Sequence, residues 1–224
     1  VYVPVAKWVF NGWLLDMGAL DFAGGTAIHI NAGVAALAVV IVVGNRKGHG
    51  TVAMPPHNLP LTLLGTGILL FGWIGFNGAS TLAATDLRFP IVIVNTFLAS
   101  ATGCLAAMFL VWKLWGKPDP SMTANGMLAG LVAITAPCAF VDPWAAAVIG
   151  ILAGVLVVFS VEFWEKRGID DCVGAISVHG VNGAFGVLAL GIFADGRYGD
   201  KWNGVDGTVK GWLYGDAGQF FAQL

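Results

Sequence analysis

Along the chain, charged side chains gather into short patches with long apolar stretches between them. Residues 22–45, 48–85, 89–112, 120–141, 143–161 and 172–194 contain no Asp, Glu, Lys or Arg. A helix rises 1.5 Å per residue, so crossing a hydrocarbon core of ~30 Å takes about 20 apolar residues, and each run can hold one span with its turns. The pattern predicts an all-α fold, a polytopic transmembrane helix bundle of about six spans. They fall near 22–43, 60–83, 89–112, 121–141, 143–161 and 172–194, in a single domain covering 1–224. A tail at 195–224 follows.

Composition agrees. A chain 57% hydrophobic and 11% charged is wrong for a soluble domain. A net charge of -2 without a basic run excludes nucleic acid as a partner. Cys104, Cys138 and Cys172 are odd in number and far apart, so they read as packing residues, with neither a disulfide framework nor a metal-ligand spacing. No phosphate-binding loop, nucleophile triad or intramembrane carboxylate pair is present, so neither an enzyme nor a metal or other cofactor is expected. The chain begins at Val1 without a leader and reads as a piece of a longer protein.

The first, third and fifth loops carry Arg46, Lys47, Lys113, Lys117, Lys166 and Arg167, whereas the second and fourth carry only Arg88. Short cytoplasmic loops are the basic ones, so residues 44–58, 113–119 and 162–171 are expected inside. Residues 1–20 and 195–224 are then external, the tail reading as a loop rich in Gly and Asp. Glycines inside the apolar runs, Gly126 with Gly130 and Gly150 with Gly154, predict seams where helices pack backbone to backbone.

An internal repeat is more informative. Asp21, Gly24, His29 and Gly33 recur at the same offsets as Asp171, Gly174, His179 and Gly183. The first and sixth spans run in opposite directions, which is the signature of an inverted repeat. Each Asp stands where it can cap a helix N-terminus, and each His lies eight residues later, roughly 12 Å along the axis and close to mid-membrane. His29 and His179 should therefore meet at similar depth. An ionisable residue there is a functional candidate, although a single one also reads as a buried histidine bonded to a carbonyl. Trp73, Phe76 and Ser80, spaced i, i+3 and i+7, share one face of the second span. Aromatic rings near a hydroxyl could attract a cation, or could belong to an interfacial belt.

At these residues the sequence resembles the ammonium transporter family, which includes methylammonium permeases and Rhesus glycoproteins. The similar segments are Gly18 to Asn31, Pro56-His-Asn-Leu-Pro60, Phe71-Gly-Trp-Ile-Gly-Phe-Asn-Gly78 and Ser177 to Gly183. The resemblance implies an eleven-span inverted-repeat fold, of which this chain looks like spans five to ten. It implies that His29 and His179 line a hydrophobic pore, that Phe76 is the inner gate ring, and that Ser80 receives ammonium at an external vestibule beside Asp21. The vestibule tryptophan position falls on Phe10 or Trp8. Cys172 stands where the family commonly has Pro, and Lys7 where it often has His.

The expected function is ammonium or ammonia transport, with methylammonium as a further candidate substrate. Ammonium would be deprotonated at the vestibule, and ammonia would pass the histidines. The resemblance further implies a homotrimer in the cell membrane, with a trimeric nitrogen-regulatory signalling protein docking on the cytoplasmic loops. Two other readings stay open: an ammonium-sensing receptor module of a membrane signalling protein, and a cytochrome whose two histidines ligate haem.

Overall fold

In the computed structural model, residues 1–85, 87–197 and 208–224 are described. Asp86 in the second loop and residues 198–207 of the expected external tail lie outside them. Among the described residues the fold is a bundle of α-helices: α1 (Tyr2–Asn11), α2 (Trp13–Asp16), α3 (Asn31–Val43), α4 (Leu59–Ala79), α5 (Arg88–Trp115), α6 (Pro120–Thr135), α7 (Pro143–Lys166), α8 (Asn182–Phe193) and α9 (Ala217–Ala222). One π-helical turn, Gly25–Ile30, leads into α3, and another, Ile176–Val181, leads into α8.

Breakers and caps set the ends. Asn58 accepts a hydrogen bond from the Leu61 N–H at 3.0 Å, and Asp119 one from the Met122 N–H at 2.7 Å, with Pro60 and Pro120 in the first turns of α4 and α6. There proline's missing N–H costs nothing. Among the described residues, five stretches are long and apolar enough to cross a membrane: Gly25–Val43, α4, α5, α7 and Ile176–Phe193. The chain is an integral membrane protein.

The fourth expected span, 121–141, is not among them; it contains α6, which ends at Thr135. Pro137 has no N–H to give the ladder, although Ala136 before it keeps helical dihedrals, φ -72° and ψ -46°. Residues 136–141 turn instead, and the Asn95 amide from α5 donates to the Cys138 and Val141 carbonyls at 2.9 and 2.7 Å. The beginning of the chain, read only as an external segment, holds α1 and α2. The tail, expected as a loop, holds α9. Gln223 just after α9 donates to the Leu20 and Val187 carbonyls and accepts the Leu20 N–H at 2.6 Å.

The expected small-residue seams are present, with α5 between α6 and α7. A Cβ added to Gly130 would lie 2.1 Å from the Ala99 carbonyl oxygen, and one on Gly154 would lie 2.3 Å from that of Gly103. The three thiols are free, but only Cys138 is fully buried; Cys172 is exposed and does not pack.

Candidate functional site

Both repeats build the same local device. The Asp21 carboxylate accepts the backbone N–H groups of Gly24, Gly25, Thr26 and Ala27 at 2.7–3.2 Å. Asp171 accepts those of Ala175, Ile176 and Ser177 at 2.7–3.3 Å. Each capped stretch runs into a π turn that carries the histidine, as π-bulges at functional sites often do. The capping is why the first span becomes helical at Gly25 and the last only after Ala175, later than the apolar runs begin.

The two device helices cross where neither has a side chain. A Cβ on Gly33 would lie 2.2 Å from the Gly180 nitrogen, and one on Gly183 would lie 3.1 Å from the Gly25 oxygen. This close approach brings the imidazoles together, with His29 Nδ1 3.1 Å from His179 Nδ1 and ring centroids 5.2 Å apart. His29 is buried, and His179 is partly buried.

Of the three residues expected on one face of α4, the two aromatic ones close around His29. Trp73 stacks on it at 5.2 Å and 12°, and Phe76 lies 5.7 Å away at 33°. The Trp73 indole N–H donates to Thr135 Oγ1 at 3.2 Å; the same hydroxyl is 3.3 Å from His29 Nε2 and donates to the Leu131 carbonyl at 2.7 Å. Thr135 is the residue that sequence reasoning missed. A lone hydroxyl in an apolar run, just ahead of Pro137, carries no periodic signal.

The other expected site residues are not in this cluster. Ser80, at the end of α4, donates to the Phe76 carbonyl of its own helix at 2.9 Å. Asp21 is buried as the cap of the His29 turn. Trp8 is 43% exposed on α1, 6.3 Å from Trp13, and Phe10 is partly buried near the end of that helix.

At the opposite end of the helices the first and fifth loops lock together. Arg46 donates through Nε and Nη2 to the two oxygens of Asp170, at 2.8 and 2.6 Å, and its backbone N–H adds a third bond at 2.8 Å. Asn45 Nδ2 donates to the Gly168 carbonyl at 2.8 Å. The Arg46 guanidinium, chiefly through these hydrogen bonds, holds the Asp170 carboxyl at about 2, below the usual carboxylate range. His49 lies 3.4 Å from Asp170 and 3.6 Å from Glu165. These are metal-ligating residue types, but Arg46 already occupies both oxygens of Asp170 and sets a positive charge beside them.

The family model described as the Ammonium Transporter Family matches residues 1–224. The chain belongs to that family. It is 47% identical over 240 residues to the ammonium transporter Amt2 of Archaeoglobus fulgidus, covering 100% of this chain and 51% of that protein. It is 41% identical to an ammonium transporter of Bacillus subtilis, covering 100% of this chain and 54% of that one. The crystal structure of Saccharomyces cerevisiae Mep2 superimposes with a TM-score of 0.91 at 35% identity, over 100% of this chain and 50% of that one. A structure titled Sensor Amt Protein matches at 0.82 and 36% identity, over 95% of this chain and 51% of that one. The chain thus spans about half the length of its Ammonium Transporter Family relatives.

Proposed function

We propose that this chain forms half of an ammonium transporter, with His29 and His179 lining the narrow part of the path. The carrying observation is the 3.1 Å contact between the two imidazoles, with His29 packed against Trp73 and Phe76 and each histidine on one of two inverted, Asp-capped turns. An ion in an apolar span suffers a large desolvation cost, whereas neutral ammonia can hydrogen-bond to imidazole nitrogens as it passes. Ammonium gives up its proton at the outer mouth near Ser80, with Phe10 or Trp8 supplying a ring face, and Phe76 gates the entry. Asp21, whose oxygens hold four backbone N–H groups, serves this site by positioning the His29 turn.

In this reading residues 44–58, 113–119 and 162–171 face the cytoplasm, and 1–20 and 195–224 face outward. Two contacts support it: Arg46 with Asp170 joins two basic loops at one end, and Gln223 with Leu20 joins the two external segments. The assembly is a homotrimer in the cell membrane, and its basic loops offer a docking face to a trimeric nitrogen-regulatory protein.

The test is ammonium-evoked current and ammonia uptake by the full-length protein in liposomes. Replacing either histidine by Ala removes a partner worth about 1–3 kcal/mol in a dry path, a loss of roughly fivefold to a hundredfold. Unchanged flux and selectivity in both folded variants overturn the reading. The likeness to the Sensor Amt Protein favours a second one, an ammonium receptor. Ammonium binding by the wild type without measurable flux would select it.

A further inference from the structure

The hydroxyl of Thr135 has one proton and three polar neighbours. The Trp73 indole N–H is a donor only, so toward it the hydroxyl oxygen must accept. Of the two remaining neighbours, the Leu131 carbonyl is 2.7 Å away, the usual O–H···O distance, and His29 Nε2 is 3.3 Å away. The proton goes to the nearer acceptor. Toward His29 the oxygen is then again an acceptor, and the hydrogen in that contact belongs to His29 Nε2.

We infer that Thr135, clamped between Trp73 and the Leu131 carbonyl, fixes His29 as its Nε2–H tautomer and so sets the direction of the bond between the two histidines. A neutral imidazole carries one N–H. With that hydrogen on Nε2, His29 Nδ1 can only accept, so His179 must donate from its own Nδ1 across the 3.1 Å contact. His179 Nε2 then bears a lone pair. The ordered chain runs from His179 Nδ1–H to His29, from His29 Nε2–H to Thr135, and from Thr135 Oγ1–H to a backbone carbonyl, where it ends.

The two histidines have matching places in the repeat, yet the ordering makes them chemically unequal. If the proposed conduction path is right, and the inference takes its functional meaning from that reading, the guest meets an acceptor at His179 and must arrive as a donor. Thr135 is then a positioning residue: it acts through His29.

The test is 15N solid-state NMR of the histidine side chains in the full-length protein in lipid bilayers at neutral pH. The wild type is expected to show His29 with a pyrrole-type Nε2 and a pyridine-type Nδ1, and His179 with the reverse. Thr135→Val keeps the shape and removes the acceptor, so His29 should redistribute toward its Nδ1–H form, with a severalfold fall in ammonium-evoked current. Thr135→Ser should restore both the tautomer pattern and the current to within about twofold. A wild-type His29 protonated on Nδ1 overturns the inference even if Thr135→Val does not fold, and so does a folded Thr135→Val with the wild-type pattern. Wild-type flux separates this outcome from failure of the conduction reading: tautomers as expected with no flux sink the latter alone.

Discussion

Gly33 seats on Gly180 with no room for a side chain on its own side: a Cβ there would lie 2.2 and 2.3 Å from the Gly180 N and Cα, all rigid backbone. From the other side the same contact is relaxed, since a Cβ on Gly180 would lie 3.4 Å from the Gly33 Cα. Gly33→Ala should therefore force the helices apart, stretch the imidazole contact and cost about 1–3 kcal/mol as an overpacked site does. Gly180→Ala should leave stability and flux within about twofold of wild type. Thermal unfolding in detergent and liposome flux check the pair, and equal effects of the two substitutions would contradict this geometry.

Asp21 accepts from four backbone N–H groups, and both carboxylate oxygens take part. Asp21→Ala strands all of them at a buried turn, so a loss of about 2 kcal/mol or more is expected, along with the flux. Asp21→Asn keeps one acceptor oxygen and should fall between Ala and wild type. An Asn variant as damaged as the Ala variant would mean that charge, and not the count of accepted bonds, is what the turn requires.

The latch at the opposite end sets an acid limit. Asp170 has its folded pKa depressed to about 2, so the stability it contributes is fully present above its unfolded value near 4 and is lost as pH falls through the folded value. Between about pH 4 and pH 2 the melting temperature of wild type should drop, while Asp170→Asn, lower at neutral pH by about 2 kcal/mol, should lack that part of the drop. Parallel pH curves would remove Asp170 as the titrating group.

Orientation has its own measurement. In a cysteine-free background, a membrane-impermeant maleimide applied from outside should label Gly215→Cys and miss Gly48→Cys. Labelling of the Gly48 variant from outside reverses the proposed topology.

The repeat made much of the site legible, because Asp, Gly and His at fixed offsets state three local facts at once: a cap, a seat for a crossing helix, and an imidazole eight residues on. The meeting of His29 with His179 followed from symmetry. Thr135 was not legible, since its role depends on α6 ending where Pro137 stops the ladder and on Trp73 reaching it from α4. The docking of α9 was equally hidden, because Gln223 finds its partners at Leu20, 203 residues earlier, through hydrogen bonds that no local pattern encodes. The apolar runs overstated the ends of the helices for a simple reason: hydropathy records where water is excluded, while caps and prolines decide where the ladder starts and stops.

The distance between the histidines along the chain has a consequence for how the protein is made. The Asp21 cap closes over three to six residues, so the first turn can form as soon as it is synthesised. Its imidazole partner lies 150 residues downstream, which at about 5–20 residues per second is a delay of roughly 8–30 s. For that time the first turn and α3 sit in the membrane with His29 Nδ1 and the glycine seat at Gly33 unmet. The half-site that forms first is thus also the one most exposed to capture by a wrong partner helix while the ribosome finishes the chain.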